Sequence, residues 1–164
     1  MKLTPAYIAL GANLERPEDQ VKAAFEALAM LPDTRLARVS SLYRTAPVGF
    51  AAQPDFVNAV AQIETALEPR ALLDALLAIE RRHGRVRDFP NGPRTLDLDI
   101  ALYGEVELRE PGLTIPHPRM HQRAFVMVPL AEIAPEAVVP GHGRAGELAA
   151  ALDSENIVKL TTDE

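Results

Sequence analysis

A chain of 164 residues, 48% hydrophobic and without a cysteine, can build a core of its own and excludes disulfides, thiolate metal sites and cysteine catalysis. Its formal charge of −6, from 17 basic and 23 acidic residues, argues against a dedicated nucleic-acid binder. No apolar run nears the ~18–20 residues of a membrane span, and Met1-Lys2-Leu3-Thr4-Pro5-Ala6 is too short and mixed for a signal peptide, so one cytoplasmic domain over 1–164 is expected.

Tyr7-Ile8-Ala9-Leu10-Gly11 is short and apolar throughout, as a central strand is. Pro17 opens a helix, with Glu18 and Asp19 at its positive end. Val21, Ala24, Phe25, Leu28 and Leu31 then recur at helical spacing until Pro32 ends the run. A strand is predicted from Leu36 to Thr45, then a loop rich in turn residues from Ala46 to Asp55. From Phe56 to Glu64 the chain alternates, with Val57, Ala59, Ala61 and Ile63 on one side and Phe56, Asn58, Val60 and Gln62 on the other. That is the period of a strand with one face on a core. Pro69 opens a second helix, with Leu72, Leu73, Leu76, Leu77 and Ile79 on its apolar side and Gly84 as its stop. Thr95 to Tyr103 alternates again. Prolines 111, 116, 118, 129, 135 and 140 break the remainder into short pieces, with a last short helix from Gly146 to Leu152 and frayed final residues. The order is α+β and matches a ferredoxin-like βαββαβ arrangement: one antiparallel sheet, two helices on one face, and an irregular C-terminal extension.

Two clusters carry the chemistry. In Arg94-Thr95-Leu96-Asp97-Leu98-Asp99-Ile100, Leu96, Leu98, Ile100 and Leu102 share one face, so Asp97 and Asp99 sit together on the other, their Cα atoms about 6.6 Å apart. Adjacent like charges need a cation between them, and Mg²⁺ prefers carboxylate oxygen together with substrate phosphate. Nearby, Arg81, Arg82, Arg85, Arg87 and Arg94 face a single acid, Asp88, in a chain whose only lysines are Lys2, Lys22 and Lys159. Arginine supplies planar forks for phosphate. Together the two clusters read as a nucleotide-phosphate site, although neither glycine-rich phosphate loop, the P-loop or the dinucleotide type, is present.

Other residues leave alternatives open. Glu80 borders the apolar stripe of its helix, as a ribose or loop anchor or as the ion-pair partner of Arg81. Asn58 beside Phe56 suits a flat heterocycle, or is an ordinary pair on a half-exposed strand. Phe125 is a stacking ring or a core residue. His117, held in Ile115-Pro116-His117-Pro118, forms an H-x-x-x-H pair with His121 that could ligate zinc on a helix, though no third ligand is evident.

The chain resembles the 6-hydroxymethyl-7,8-dihydropterin pyrophosphokinases of the folate pathway. The resemblance is carried by Ala9-Leu10-Gly11-Ala12-Asn13-Leu14, the segment from Ser41 to Gly49, Gln53-Pro54-Asp55-Phe56-Val57-Asn58-Ala59, Gly84-Arg85-Val86-Arg87, Gly92-Pro93-Arg94-Thr95-Leu96-Asp97-Leu98-Asp99-Ile100 and Pro116-His117-Pro118. It implies a ferredoxin-like fold and transfer of the β,γ-diphosphoryl group of ATP to the pterin's hydroxymethyl oxygen, releasing AMP, with two Mg²⁺ ions. By position it makes Asp97 and Asp99 the metal ligands, and Arg85 and Arg94 the phosphate clamps. Arg87 assists, Arg123 lies near the triphosphate, and His117 touches ATP phosphate, replacing the zinc reading. Leu73, Glu80, Ile100 and Thr114 surround the nucleoside. Thr45, Val48 and Asn58 line the pterin pocket, with Phe125 and Phe56 against the ring. Pro90 and Asn91 stand where many relatives carry a basic residue and an aromatic, Gly112 where some offer arginine, and Ala101 replaces a larger aliphatic residue. ATP and the pterin alcohol are the expected partners of a monomer, with no nucleic acid or membrane. The alternatives are another Mg-dependent nucleotidyl- or phosphotransferase, or a ferredoxin-like RNA-binding module.

Overall fold

The computed structural model describes residues 2–14, 16–46, 54–83, 96–153 and 156–160. Strand β1 (Thr4–Ala12) leads to helix α1 (Pro17–Ala29), which begins at the proline that sets its first turn. Strands β2 (Thr34–Val39) and β3 (Tyr43–Thr45) follow, then β4 (Phe56–Thr65), helix α2 (Pro69–Arg82) and β5 (Asp97–Tyr103). The C-terminal part adds hairpin strands β6 (Leu108–Glu110) and β7 (Leu113–Ile115), a 3-10 turn at Met120–Gln122, and helix α3 (Ala124–Ile133). It ends with β8 (Val138–Val139), β9 (Gly143–Arg144), helix α4 (Ala145–Ala150) and β10 (Ile157–Lys159).

The main sheet is antiparallel in the order β10-β3-β4-β1-β5, with β2 also paired to β4. Alternation decides its two faces. Ala6, Ile8 and Leu10 of β1 and Ala59, Ala61 and Ile63 of β4 meet Val21, Ala24 and Leu28 of α1 and Leu72, Leu76 and Ile79 of α2. On the reverse face Val60, Ala101 and Leu102 pack on Met127, Leu130 and Ile133 of α3, with Val139 and Ala145 behind them. The two expected helices therefore share one face.

Three expectations need correction. The strand predicted over 36–45 is two strands, because Ser40, Ser41 and Leu42 lie between pairs Val39–Ala61 and Tyr43–Asn58 and so oppose two residues of β4. Ser40 Oγ accepts the Val60 N–H at 2.9 Å, taking a place that a backbone carbonyl fills in a regular ladder. The tail is not merely irregular: α3 covers the second face of β4, which sequence alternation left open to solvent. Finally, Leu102 leaves the face of Leu98 and Ile100. The β1–β5 register shifts between Tyr7 and Ile8, so Ala101 is an extra residue and Leu102 turns toward α3.

Candidate active site

Asp97 and Asp99 line a cavity of about 390 Å³ on the α3 side of the sheet. Across the ladder Asp97 faces Gly11 and Asp99 faces Ala9, which line the same cavity. The wall beside the carboxylates is thus bare backbone and one methyl, leaving room for an ion and for phosphate. Among the described residues no group of three or more His, Cys, Asp or Glu is placed to hold a metal. Two carboxylates on one strand nevertheless fit Mg²⁺, which commonly takes one or two carboxylates and completes its shell with water and substrate phosphate.

The spacing of Asp97 and Asp99 is braced from behind. Glu80, in the last turn of α2, is 3% exposed, and its Oε2 accepts the N–H of Leu98 at 2.7 Å. Glu80 lines neither of the cavities described here.

At the other end of the cavity, Thr45 Oγ1 donates to Asn58 Oδ1 at 2.6 Å, and Asn58 Nδ2 donates to the Leu10 carbonyl at 3.4 Å. Both side chains are buried. Gly11 pairs directly with Asn58, and a Cβ at residue 11 would stand 2.8 Å from Asn58 Nδ2, so glycine is what admits the amide. Phe56 and Phe125 line the same space, and the Arg123 guanidinium carbon lies 5.5 Å from the centre of the Phe125 ring. Arg123 stands at the residue before α3, whose positive dipole end opens toward the cavity.

A second cavity, about 270 Å³, lies beside β5 and β7 and is lined by Leu73, Ile100 and Thr114, among others. Asp99 and His117 line both cavities, so the two spaces meet at these residues. His117 is fixed there because its N–H donates to the Ala101 carbonyl at 3.1 Å, at the extra residue of β5. Burial holds its pKa below the ordinary histidine value, with Arg123 and Arg119 adding to the effect and Asp97 opposing it. Its Nδ1 accepts the Arg119 N–H at 3.4 Å, which leaves the proton of the neutral ring on Nε2. His121 does not join it: that ring stacks on His142, with the ring centroids 3.6 Å apart.

The structure therefore brings Thr45, Phe56, Asn58, Asp97, Asp99, His117, Arg123 and Phe125 around one cavity, and Leu73, Ile100 and Thr114 around its neighbour. Val48, Arg85, Arg87 and Arg94 lie outside the described residues. Sequence reasoning missed Asp153, Asn156 and Ile157, which also line the first cavity. Their only local signal is a polar run after a short helix. They reach the site because β10 pairs with β3, placing Ile157 opposite Thr45.

The 7,8-dihydro-6-hydroxymethylpterin-pyrophosphokinase family model matches residues 7–135. The chain belongs to this family. It is 53% identical over 154 residues to the 2-amino-4-hydroxy-6-hydroxymethyldihydropteridine pyrophosphokinase of Pseudomonas aeruginosa, covering 94% of this chain and 95% of that one. The enzyme of the same name from Haemophilus influenzae is 50% identical over 155 residues, covering 94% and 97%. A crystal structure of Plasmodium falciparum HPPK-DHPS matches with a TM-score of 0.71 over 97% of this chain at 13% identity. This chain spans 47% of that longer protein, and the likeness concerns the fold. Within the pyrophosphokinase family, Asp97, Asp99 and His117 fall inside the matched segment, whereas Asp153 and Asn156 lie beyond it.

Proposed function

We infer that this chain transfers diphosphate from ATP to 6-hydroxymethyl-7,8-dihydropterin, giving the pterin diphosphate and AMP, a step of folate biosynthesis. The observation that carries the reading onto these residues is the meeting of two cavities at Asp99 and His117. One space, with Asn58, Thr45 and aromatic walls, suits a flat heterocycle with donor and acceptor edges. The other, with Leu73, Ile100 and Thr114, suits a nucleoside. A diphosphate travelling between the two substrates passes their junction.

Phosphoryl transfer asks a protein mainly to position groups and neutralise charge. Asp97 and Asp99 would hold two Mg²⁺ ions, whose chemistry is to neutralise the triphosphate and polarise the transferred group. His117 presents its Nε2–H toward phosphate, a role for which its neutral state suffices. Arg123 adds fixed positive charge beside the Phe125 ring. Arg85 and Arg94 clamp the phosphates and Arg87 assists, an assignment resting on the Gly84-Arg85-Val86-Arg87 and Gly92-Pro93-Arg94 motifs. The alcohol oxygen bonds to the β-phosphorus as the bridge to the α-phosphate breaks, and AMP leaves.

The strand order and the two helices on one face support the ferredoxin-like arrangement, extended at its edge by β10. Apolar clusters on both faces of one sheet support a single pyrophosphokinase domain. Among the described residues no helix is long and apolar enough to cross a membrane. Phosphorus NMR of the protein with ATP, Mg²⁺ and the pterin alcohol tests the reading. AMP and pterin diphosphate in equal amounts are expected. ADP with a pterin monophosphate, or no product, overturns it.

A further inference from the structure

Three elements supply most of the wall of the second cavity: helix α2 through Leu73, strand β5 through Asp99 and Ile100, and the β6–β7 hairpin through Gly112, Leu113 and Thr114. The helix and the strand are fixed by core residues, among them Leu72, Leu76 and Ile100. The hairpin is held less. Its strands of three residues pair with each other and not with the main sheet, and such a ribbon is marginal by itself. Leu113 and Ile115 root β7 in the core. Pro111 and Gly112 at the turn are exposed, and Gly112 adopts φ 75°, a conformation open chiefly to glycine.

Arg70 ties that turn to α2. Its Nη2 donates to Glu110 Oε1 at 3.0 Å and to the Pro111 carbonyl at 3.1 Å. The first bond grips the last residue of β6, and the second fixes the peptide plane that leads into Gly112. Arg70 precedes Leu73 by three residues, a neighbouring position on the helix surface. The tether therefore joins the same two elements that Leu73 and Gly112 bring to the cavity. Helix energetics do not explain an arginine there. Arg70 is the second residue of α2, at the positive end of the helix dipole, where a cation is unfavourable, and that first turn holds no acid. Helix α1 follows the ordinary preference, with Glu18 and Asp19. Nor does global stability explain it: the Arg70 and Glu110 side chains are 46% and 45% exposed, and such pairs contribute little. What the contacts do fix is the place of the hairpin turn.

We propose that Arg70 is a positioning residue for the nucleotide: through Glu110 and the Pro111 carbonyl it holds the hairpin wall in place before ATP arrives. Binding then need not order the turn, and the ordering cost avoided appears as affinity. The proposal deepens the pyrophosphokinase reading, in which this cavity takes the nucleoside, and rests on it. The test is steady-state AMP formation by the full chain with ATP, Mg²⁺ and the pterin alcohol. Arg70→Ala raises KM for ATP about fivefold, while KM for the pterin and kcat stay near wild type. Its melting temperature shifts by no more than about 3 °C. Arg70→Lys, which keeps a cationic donor without the rigid fork, recovers part of the loss. Glu110→Ala has a smaller effect, because the Pro111 bond remains, and the double variant has a KM for ATP no higher than Arg70→Ala alone. Fully additive effects place the action of Arg70 on the nucleotide itself and overturn the positioning role. So does a KM for ATP that is unchanged in Arg70→Ala, or raised equally with that for the pterin, while wild type makes AMP. Wild type that makes no AMP overturns the pyrophosphokinase reading, and this proposal with it.

Discussion

Glu80 Oε2 lies 2.7 Å from the backbone nitrogen of Leu98, the residue between the two cavity aspartates. A carboxylate on one helix thus fixes the segment of β5 that carries Asp97 and Asp99. Glu80→Ala removes the acceptor of a buried N–H, a loss of about 1–3 kcal/mol, and lowers both the melting temperature and AMP formation. Glu80→Gln retains an acceptor oxygen and recovers most of both. Wild-type melting and turnover in Glu80→Ala would sink the brace.

Gly11 gives a second test. A methyl there meets Asn58 Nδ2 at 2.8 Å and pushes the amide away from Thr45. In steady-state kinetics Gly11→Ala raises KM for the pterin more than KM for ATP. Equal effects on both substrates would mean that the residue 11 contact serves general packing.

Asp97→Ala and Asp99→Ala remove charge from a half-buried strand face while Leu98 and Ile100 keep their core contacts. Circular dichroism and melting stay near wild type, and AMP formation falls by about a hundredfold or more at ordinary magnesium. Full activity in either variant contradicts the metal assignment.

Acid weakens the ligand-free protein. Burial holds His83, His117 and His121 below their ordinary pKa; Arg82 adds to this for His83, Arg123 and Arg119 for His117, and His142 for His121. A depressed histidine value means that the unfolded chain binds protons more readily. The stability is therefore complete above about pH 6.5 and is lost as pH falls through that value toward the folded ones. Glu132 adds loss at still lower pH. Burial raises its pKa, but the hydroxyls of Ser41 and Tyr43, the Ser41 N–H and Lys159 outweigh this and hold it below the usual glutamate value. Melting temperature drops as pH falls below about 6.5, and replacing the three histidines with glutamine flattens the drop. A rise on acidification contradicts the sign.

Some of this was legible in the sequence. Leu96-Asp97-Leu98-Asp99-Ile100 alternates without help from distant residues, so its period alone puts the carboxylates on one face and the leucines on the other. Helices α1 and α2 announce themselves by an opening proline and an apolar stripe. Helix α3 does not. Its ten residues are apolar nearly all round and contain Pro129, so no stripe appears and a breaker stands in the middle. The turn of Leu102 toward α3 comes from one extra residue at Ala101, a matter of pairing with β1 rather than of local preference. Asp153 and Asn156 enter the site only because a three-residue strand at the far end of the chain pairs with β3.

The central claim is that Asp97 and Asp99 grip metal where the two cavities meet. Anomalous diffraction from crystals grown with Mn²⁺, a non-hydrolysable ATP analogue and the pterin alcohol measures this directly. The account predicts metal peaks within about 2.0–2.3 Å of carboxylate oxygens of both aspartates and of the analogue's phosphates. Nucleotide and pterin bound with no metal at either aspartate would contradict it.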